Sequence, residues 1–140
     1  MSHNFYKNEY LISTDRDKLQ LSKITAFMRG SYWAKNRSES DIKTTIEHSL
    51  CFGLYEKNEQ IGFARVVTDY AVFAYLLDVV IAENRRSLGL GKWLVEVILN
   101  HPKLKEVQSW MLATKDAHKL YAEFGFKKVE NPEFYMKLKR

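Results

Sequence analysis

Val79-Val80-Ile81-Ala82-Glu83-Asn84-Arg85-Arg86-Ser87-Leu88-Gly89-Leu90-Gly91-Lys92 is the stretch on which the reading of this chain turns. An apolar run, Phe73 to Ala82, broken only by Asp78, leads into it. A helical pattern with Leu90, Leu94, Val97 and Ile98 on one face leads out of it. The order is strand, glycine turn, helix. Continuous hydrophobicity predicts a central strand covered on both faces. Glycines at the start of a helix let backbone N–H groups approach an anion closely, and the helix's own unpaired N–H groups and dipole add positive potential there. The turn lacks the Gly-Lys-Ser or Gly-Lys-Thr of a nucleotide P-loop and the third glycine of a dinucleotide fingerprint. Taken alone, it reads equally as a pyrophosphate cradle or as a tight turn with two solvated arginines.

Outward from this centre the pattern is mixed α/β. Upstream, Tyr10 to Ser13 reads as a short strand, and Leu21, Ile24, Phe27 and Met28 mark a helix that ends near Gly30. A second helix begins at Ser38 or Ser40, whose hydroxyls can cap it, with Ile42, Ile46 and Leu50 on one side. Cys51 to Glu56 and Gln60 to Thr68 form a hairpin around Lys57-Asn58-Glu59. Downstream, the glycine-turn helix stops around Asn100-His101-Pro102. Trp110 to Ala113 then reads as a strand, and Ala117, Leu120, Tyr121 and Phe124 form one face of a short helix that Gly125 ends. Phe134 to Leu138 reads as a closing strand.

The composition sets limits around this pattern. The 140 residues, 46% hydrophobic and 14% aromatic, with 2 prolines, 6 glycines and no repeat, predict one domain over residues 1–140. The single cysteine, Cys51, excludes an intramolecular disulfide and reads as a small buried hydrophobe. No signal peptide opens the chain and no segment reads as a membrane span, so the expected location is cytoplasmic, with no membrane partner. The net charge of +5 favours an anionic partner. No basic arm with interleaved aromatics accompanies it, so no nucleic acid is expected. His3, His48 and His101 lack metal-ligand spacing, and no metal is expected.

Arg86-Ser87-Leu88-Gly89-Leu90-Gly91 resembles the Arg/Gln-x-x-Gly-x-Gly/Ala motif of the GNAT N-acetyltransferases. Ala117-His118-Lys119-Leu120-Tyr121-Ala122-Glu123-Phe124-Gly125-Phe126 resembles the family's Ala-x-x-Leu-Tyr-x-x-x-Gly-Phe helix, and Ile61-Gly62-Phe63-Ala64-Arg65 its glycine-containing third strand. Three matches in order, from Cys51 to Phe126, are more specific than any one. The resemblance implies a twisted, mostly antiparallel sheet flanked by helices and opening into a V-shaped cofactor cleft. It implies acetyl-CoA as acyl donor and direct transfer of the acetyl group to an amine acceptor, a small molecule or a peptide. A non-catalytic acyl-CoA-binding module of the same fold is the alternative, and a homodimer is left open.

Residue by residue, the resemblance implies that the backbone of Val79, Val80 and Ile81 pairs with the pantetheine arm. It implies that the N–H groups of Ser87, Leu88, Gly89, Leu90, Gly91 and Lys92 hold the pyrophosphate, with Arg86 shaping the turn and Lys92 adding charge. Tyr121 would face the cofactor sulfur, where a phenol can protonate the departing thiolate. Thr114 stands where the family commonly has asparagine and keeps one donor and one acceptor with less reach. Asp78, the one carboxylate inside the apolar run, is the candidate base for the acceptor ammonium or else a hydrogen-bonded strand residue, with Glu83 a weaker candidate. Tyr32 and Trp33 either wall the acceptor pocket or plug the core.

Overall fold

The computed structural model describes residues 1–140. A six-stranded sheet runs through it in chain order: β1 (Asn4–Lys7), β2 (Tyr10–Ser13), β3 (Leu50–Glu56), β4 (Glu59–Thr68), β5 (Phe73–Ile81) and β6 (Ser109–Met111). All neighbours pair antiparallel except β5 and β6, which are parallel. Four helices complete the architecture: α1 (Leu21–Arg29), α2 (Glu39–Glu47), α3 (Leu90–Asn100) and α4 (His118–Ala122). The mixed, mostly antiparallel, helix-flanked sheet expected from the resemblance is the one found.

Local chemistry explains the boundaries. Lys57 and Asn58, both with positive φ (49° and 68°), form the tight turn whose twist matches the β3–β4 hairpin. Ser38 caps α2, its hydroxyl accepting the Asp41 N–H at 3.0 Å. The start of α1 has no side-chain cap of its own. Instead Gln20 and Gln60 exchange bonds, each backbone N–H donating to the other's side-chain oxygen at 2.8 and 3.0 Å, which pins the helix to β4.

The sheet divides two cores. On one face Ile24 and Met28 of α1 and Ile42 of α2 pack with Cys51 and Phe63. On the other Leu94, Val95 and Ile98 of α3 pack with Phe52, Leu54, Val66 and Leu76. Neighbours Cys51 and Phe52 thus serve opposite faces, as a strand's period of two requires. Each such aliphatic side chain contributes about 1.5–3 kcal/mol through burial.

Two expectations are corrected and one strand is added. β1 lies outside the sequence reading, because its four residues are almost wholly exposed and carry no alternation to detect. The closing strand over Phe134–Leu138 does not form: Pro132–Phe134 is a single 3-10 turn, and Met136 to Arg140 make no backbone hydrogen bond. Its apolar alternation is real, but the sheet ends on that side at β6, which is three residues long and offers little ladder. β5 is not covered throughout either. It pairs with β6 only at Phe73–Tyr75, and Val79 to Ile81 are half-buried on a free edge.

His101, just past α3, is fully buried. Its Nδ1 accepts the Lys103 N–H at 3.1 Å, so the neutral ring carries its proton on Nε2, which finds no partner. The rings of His3, Phe5 and Phe52 stand edge-on around it. Burial first, then the nearby His3 and Lys103, lower its pKa to about 4. An unfolded imidazole titrates near 6.5, so between those values the unfolded chain binds the extra proton. Stability is therefore full above about pH 6.5 and falls as the pH drops toward 4. Urea midpoints measured across this window should decline for the native chain, and His101→Leu should flatten the dependence; an equally steep decline in the variant would assign it to other groups.

Candidate active site

Where β5 and β6 part, a cleft of about 1170 Å³ opens between them. Leu77 to Glu83 line one side and Leu112 to Ala117 the other. The split of the sheet creates the V.

The β5 wall is shaped by a bulge. Phe63 and Arg65, two residues apart on β4, face Val80 and Leu77, three residues apart on β5. The extra residue puts Asp78 at a φ of 53°, the left-handed region. It also reverses the alternation. Ala74 and Leu76 pack with the α3 core, yet beyond the bulge Val79 and Ile81 pack there, while Val80 joins the α1–α2 core. Asp78 is thereby aimed at the opposite face from Leu76.

On that face the Asp78 carboxylate is saturated. Arg65 Nε donates to Oδ2 at 2.6 Å, an Arg37 guanidinium nitrogen to the same oxygen at 2.8 Å, and Trp33 Nε1 to Oδ1 at 2.8 Å. Arg65 also donates to the Ser49 hydroxyl at 3.1 Å. Burial alone would raise the carboxyl pKa, but bonding and charge from Arg65, then Arg37, outweigh it and hold the group below the ordinary carboxylate range. A carboxylate so held is a poor proton acceptor, and the geometry favours the second sequence alternative, a hydrogen-bonded strand residue. Arg37, and the role of Arg65 as a partner of Asp78, lie outside the sequence reading. The available signal was Arg65 itself, a charge between Ala64 and Val66 in a buried strand, which demands a buried partner.

The glycine turn follows β5 through a 3-10 turn at Glu83–Arg85. Arg86 Nε donates back to the Ile81 carbonyl at 3.1 Å, fastening the turn to the strand end. Ser87 and Gly89 both take positive φ, 67° and 79°, and Gly89 caps α3. The backbone N–H of Arg86 reaches the Glu83 carbonyl and that of Trp93 the Gly89 carbonyl. Between them, the N–H groups of Ser87, Leu88, Gly89, Leu90, Gly91 and Lys92 have no backbone acceptor. A Cβ added at Gly89 would meet nothing within 4 Å, and one at Gly91 only Ile81 at 3.8 Å, so these glycines leave open space beside the N–H run rather than relieve crowding. The residues fit a diphosphate: a run of free donors at a helix N-terminus, with room in front of it. The side chains of this turn do little lining. Leu88 is exposed, Leu90 opens α3 and is buried in its core, and Lys92 pairs with Glu123 at 3.1 Å on the surface and does not line the cleft.

Across the cleft, α4 presents Tyr121, mostly buried, its ring edge-on to Phe126 at 5.8 Å. Burial, then the charge of Asp116, then Tyr32, raise its pKa, which keeps the phenol protonated and able to donate. Thr114 Oγ1 accepts the Ala117 N–H at 3.0 Å, which commits one lone pair of this hydroxyl to the start of α4 and leaves its O–H free to donate. Tyr32 and Trp33 lie between α1 and α2, edge-on to each other at 5.1 Å, and both line the cleft. They are 56% and 42% exposed, which is wall geometry and not that of a core plug. The Lys115 N–H donates to the Tyr32 hydroxyl at 3.1 Å and ties this wall to the β6 side. Cys51 is buried with its pKa pushed up to about 12, chiefly by burial, and is no nucleophile.

A sheet split beside a bulged strand, with a helix N-terminus aimed at the split, is the architecture that the glycine motif resembles. The family profile described as "Acetyltransferase (GNAT) family" matches residues 18–126. A Gibberella zeae protein, FG08082, named as a candidate acetyltransferase, is 31% identical over 86% of this chain and 80% of its own length. A Xanthomonas campestris crystal structure described as a candidate GNAT acetyltransferase is similar with a TM-score of 0.89 and 37% identity, over 94% of this chain and 93% of that one. A GNAT acetyltransferase from Elizabethkingia anophelis, solved with acetyl-CoA bound, shares the fold at a TM-score of 0.68 and 16% identity, over 89% of this chain and 80% of that one. The chain belongs to the GNAT acetyltransferase family.

The clamp on Asp78 makes a prediction that separates structure from chemistry. Asp78→Ala strands two guanidiniums in a mostly buried site and should cost about 3–5 kcal/mol in urea denaturation, as breaking one side of a buried ion pair does. A variant with undiminished stability and lost activity would instead return Asp78 to the role of base.

Proposed function

We propose that this chain is an acetyl-CoA-dependent N-acetyltransferase acting by direct transfer to an amine. The observation that carries the proposal is the run of six N–H groups from Ser87 to Lys92 without backbone acceptors, opening beside a cleft that a protonated tyrosine lines. Acetyl-CoA bound there supplies an activated thioester carbonyl next to the amine. The turn holds the diphosphate through backbone donors, and Arg86 keeps the turn in register with β5. The free edge of β5 at Val79 to Ile81 offers backbone groups to the pantetheine arm and to the acyl oxygen. Tyr121 donates its proton to the departing sulfur. Tyr32 and Trp33 wall the acceptor side, and Trp33 is held there by its bond to Asp78. The acceptor's proton leaves to water, since Asp78 is engaged. Glu83 and Asp116 are the two lining carboxylates outside any ion pair.

A panel of amines, scored by release of free thiol, tests the activity and finds the acceptor class. On a verified acceptor Tyr121→Phe keeps the ring's packing and should bind acetyl-CoA with little change, read as a retained thermal shift. Its kcat should fall by about a hundredfold or more, the usual scale of general acid catalysis. An unchanged kcat would make Tyr121 a packing residue, and the absence of any acetyl-CoA-induced shift in the native protein would remove the donor assignment.

A further inference from the structure

The chemistry assigned to the cleft consumes an amine, and the chain places one of its own there. Two lysines line the cleft, Lys115 and Lys137. Lys115 is engaged: its ammonium lies over the Tyr32 ring, 5.4 Å from the centroid, and its backbone N–H donates to the Tyr32 hydroxyl. Lys137 has no hydrogen bond and no ion pair.

The segment that carries Lys137 explains how it reaches the cleft. The chain leaves the sheet after β6, passes through α4 and folds one 3-10 turn at Pro132–Phe134, where the N–H groups of Phe134 and Tyr135 bond to the carbonyls of Asn131 and Pro132. Lys137 follows three residues after that turn. From Met136 to Arg140 no backbone group is paired, and every residue is exposed. The turn's two bonds are internal to the segment, and Lys137 is its one residue that lines the cleft. An exposed extended chain alternates its side chains, so Lys137 shares a side with Tyr135 and Lys139, away from Phe134, Met136 and Leu138. Lys139, roughly 6.6 Å further along an extended chain, does not line the cleft.

We infer that Lys137 is an acetyl acceptor in its own cleft, so that the protein modifies its C-terminal segment in cis. The inference rests on the acetyltransferase reading given above. The neutral Lys137 Nζ, having released its proton to water, attacks the acetyl carbonyl carbon. The new C–N bond forms as the C–S bond breaks, and the electron pair leaves with sulfur. The thiolate takes a proton from Tyr121 or water, the second amine proton goes to solvent, and the products are acetyl-lysine and CoA. No further reactant is needed. Acetylation removes the positive charge, so the modified segment loses its electrostatic attraction to the anionic cofactor.

The full chain incubated with acetyl-CoA and no added amine, followed by site-resolved mass spectrometry, tests this. Lys137 should gain one acetyl group about tenfold or more faster than Lys139, its exposed neighbour on the same segment, because only the amine that lines the cleft is positioned for attack on the acyl carbon. Its first-order rate should be unchanged by diluting the protein, should rise with pH, and should fall in Tyr121→Phe. Lys139→Arg should leave it intact, and Lys137→Arg should remove the fast phase. Equal rates at Lys137 and Lys139 would mean unassisted surface acetylation and overturn the inference, and a rate that falls on dilution would overturn transfer in cis. If external amines are acetylated while Lys137 is not, the inference fails and the proposed activity stands. If acetyl-CoA gives no thermal shift, both fail together.

Discussion

One carboxylate organises the working half of this fold. Asp78 receives the guanidiniums of Arg65 and Arg37 and the indole of Trp33, and each donor comes from a different place: the neighbouring strand, the approach to α2, and the connection after α1. A non-glycine residue in a sparsely populated backbone region costs about 1–3 kcal/mol, and such strain persists only when the surroundings over-determine it. Here they do. The clamp holds the bulge, the bulge shifts the alternation of β5, and the shift sends Val79 and Ile81 to the α3 core while Val80 packs on the other face. One of the three bonds, from the Trp33 indole, ties the aromatic wall to the strand whose free edge faces the cleft.

The second constraint is electrostatic and uses almost no side chains. From Ser87 to Lys92 the chain gathers six N–H groups without backbone acceptors at the start of α3, and the glycines keep the space before them clear. The net charge of +5 contributes a general attraction for anions. Its most obvious local candidate, Lys92, is neutralised by Glu123 on the surface. Binding an anion through backbone donors fixes its position more tightly than flexible ammonium groups would, because those donors lose little freedom when the ligand arrives.

Legibility in the sequence followed locality. Tyr10–Ser13, the Lys57-Asn58 hairpin, the Ser38 cap and the glycine turn are encoded within a few residues, and each formed where the pattern put it. The failures needed distant information. β1 is a short exposed strand that exists only because β2 offers an edge, and the alternation of Phe134, Met136 and Leu138 found no comparable edge. The bulge at Asp78 depends on Arg65 and Arg37, 13 and 41 residues away, so no local window could show that the strand's one carboxylate was already neutralised. Tyr32 and Trp33 were balanced between wall and plug for the same reason. Their exposure speaks against the plug, and the bond that holds Trp33 in place reaches Asp78 across 45 residues.

Hydrogen exchange at the amides of Ser87 to Lys92, with and without acetyl-CoA, bears most directly on the claim that this run of donors is the diphosphate cradle. Unpaired amides at a helix N-terminus exchange quickly, and occupation by phosphate oxygens would protect them. The account predicts strong, saturable slowing at these six positions, while the amides in the middle of α3, already paired, change little. Acetyl-CoA binding that protects other segments and leaves Ser87 to Lys92 as fast as before would contradict it.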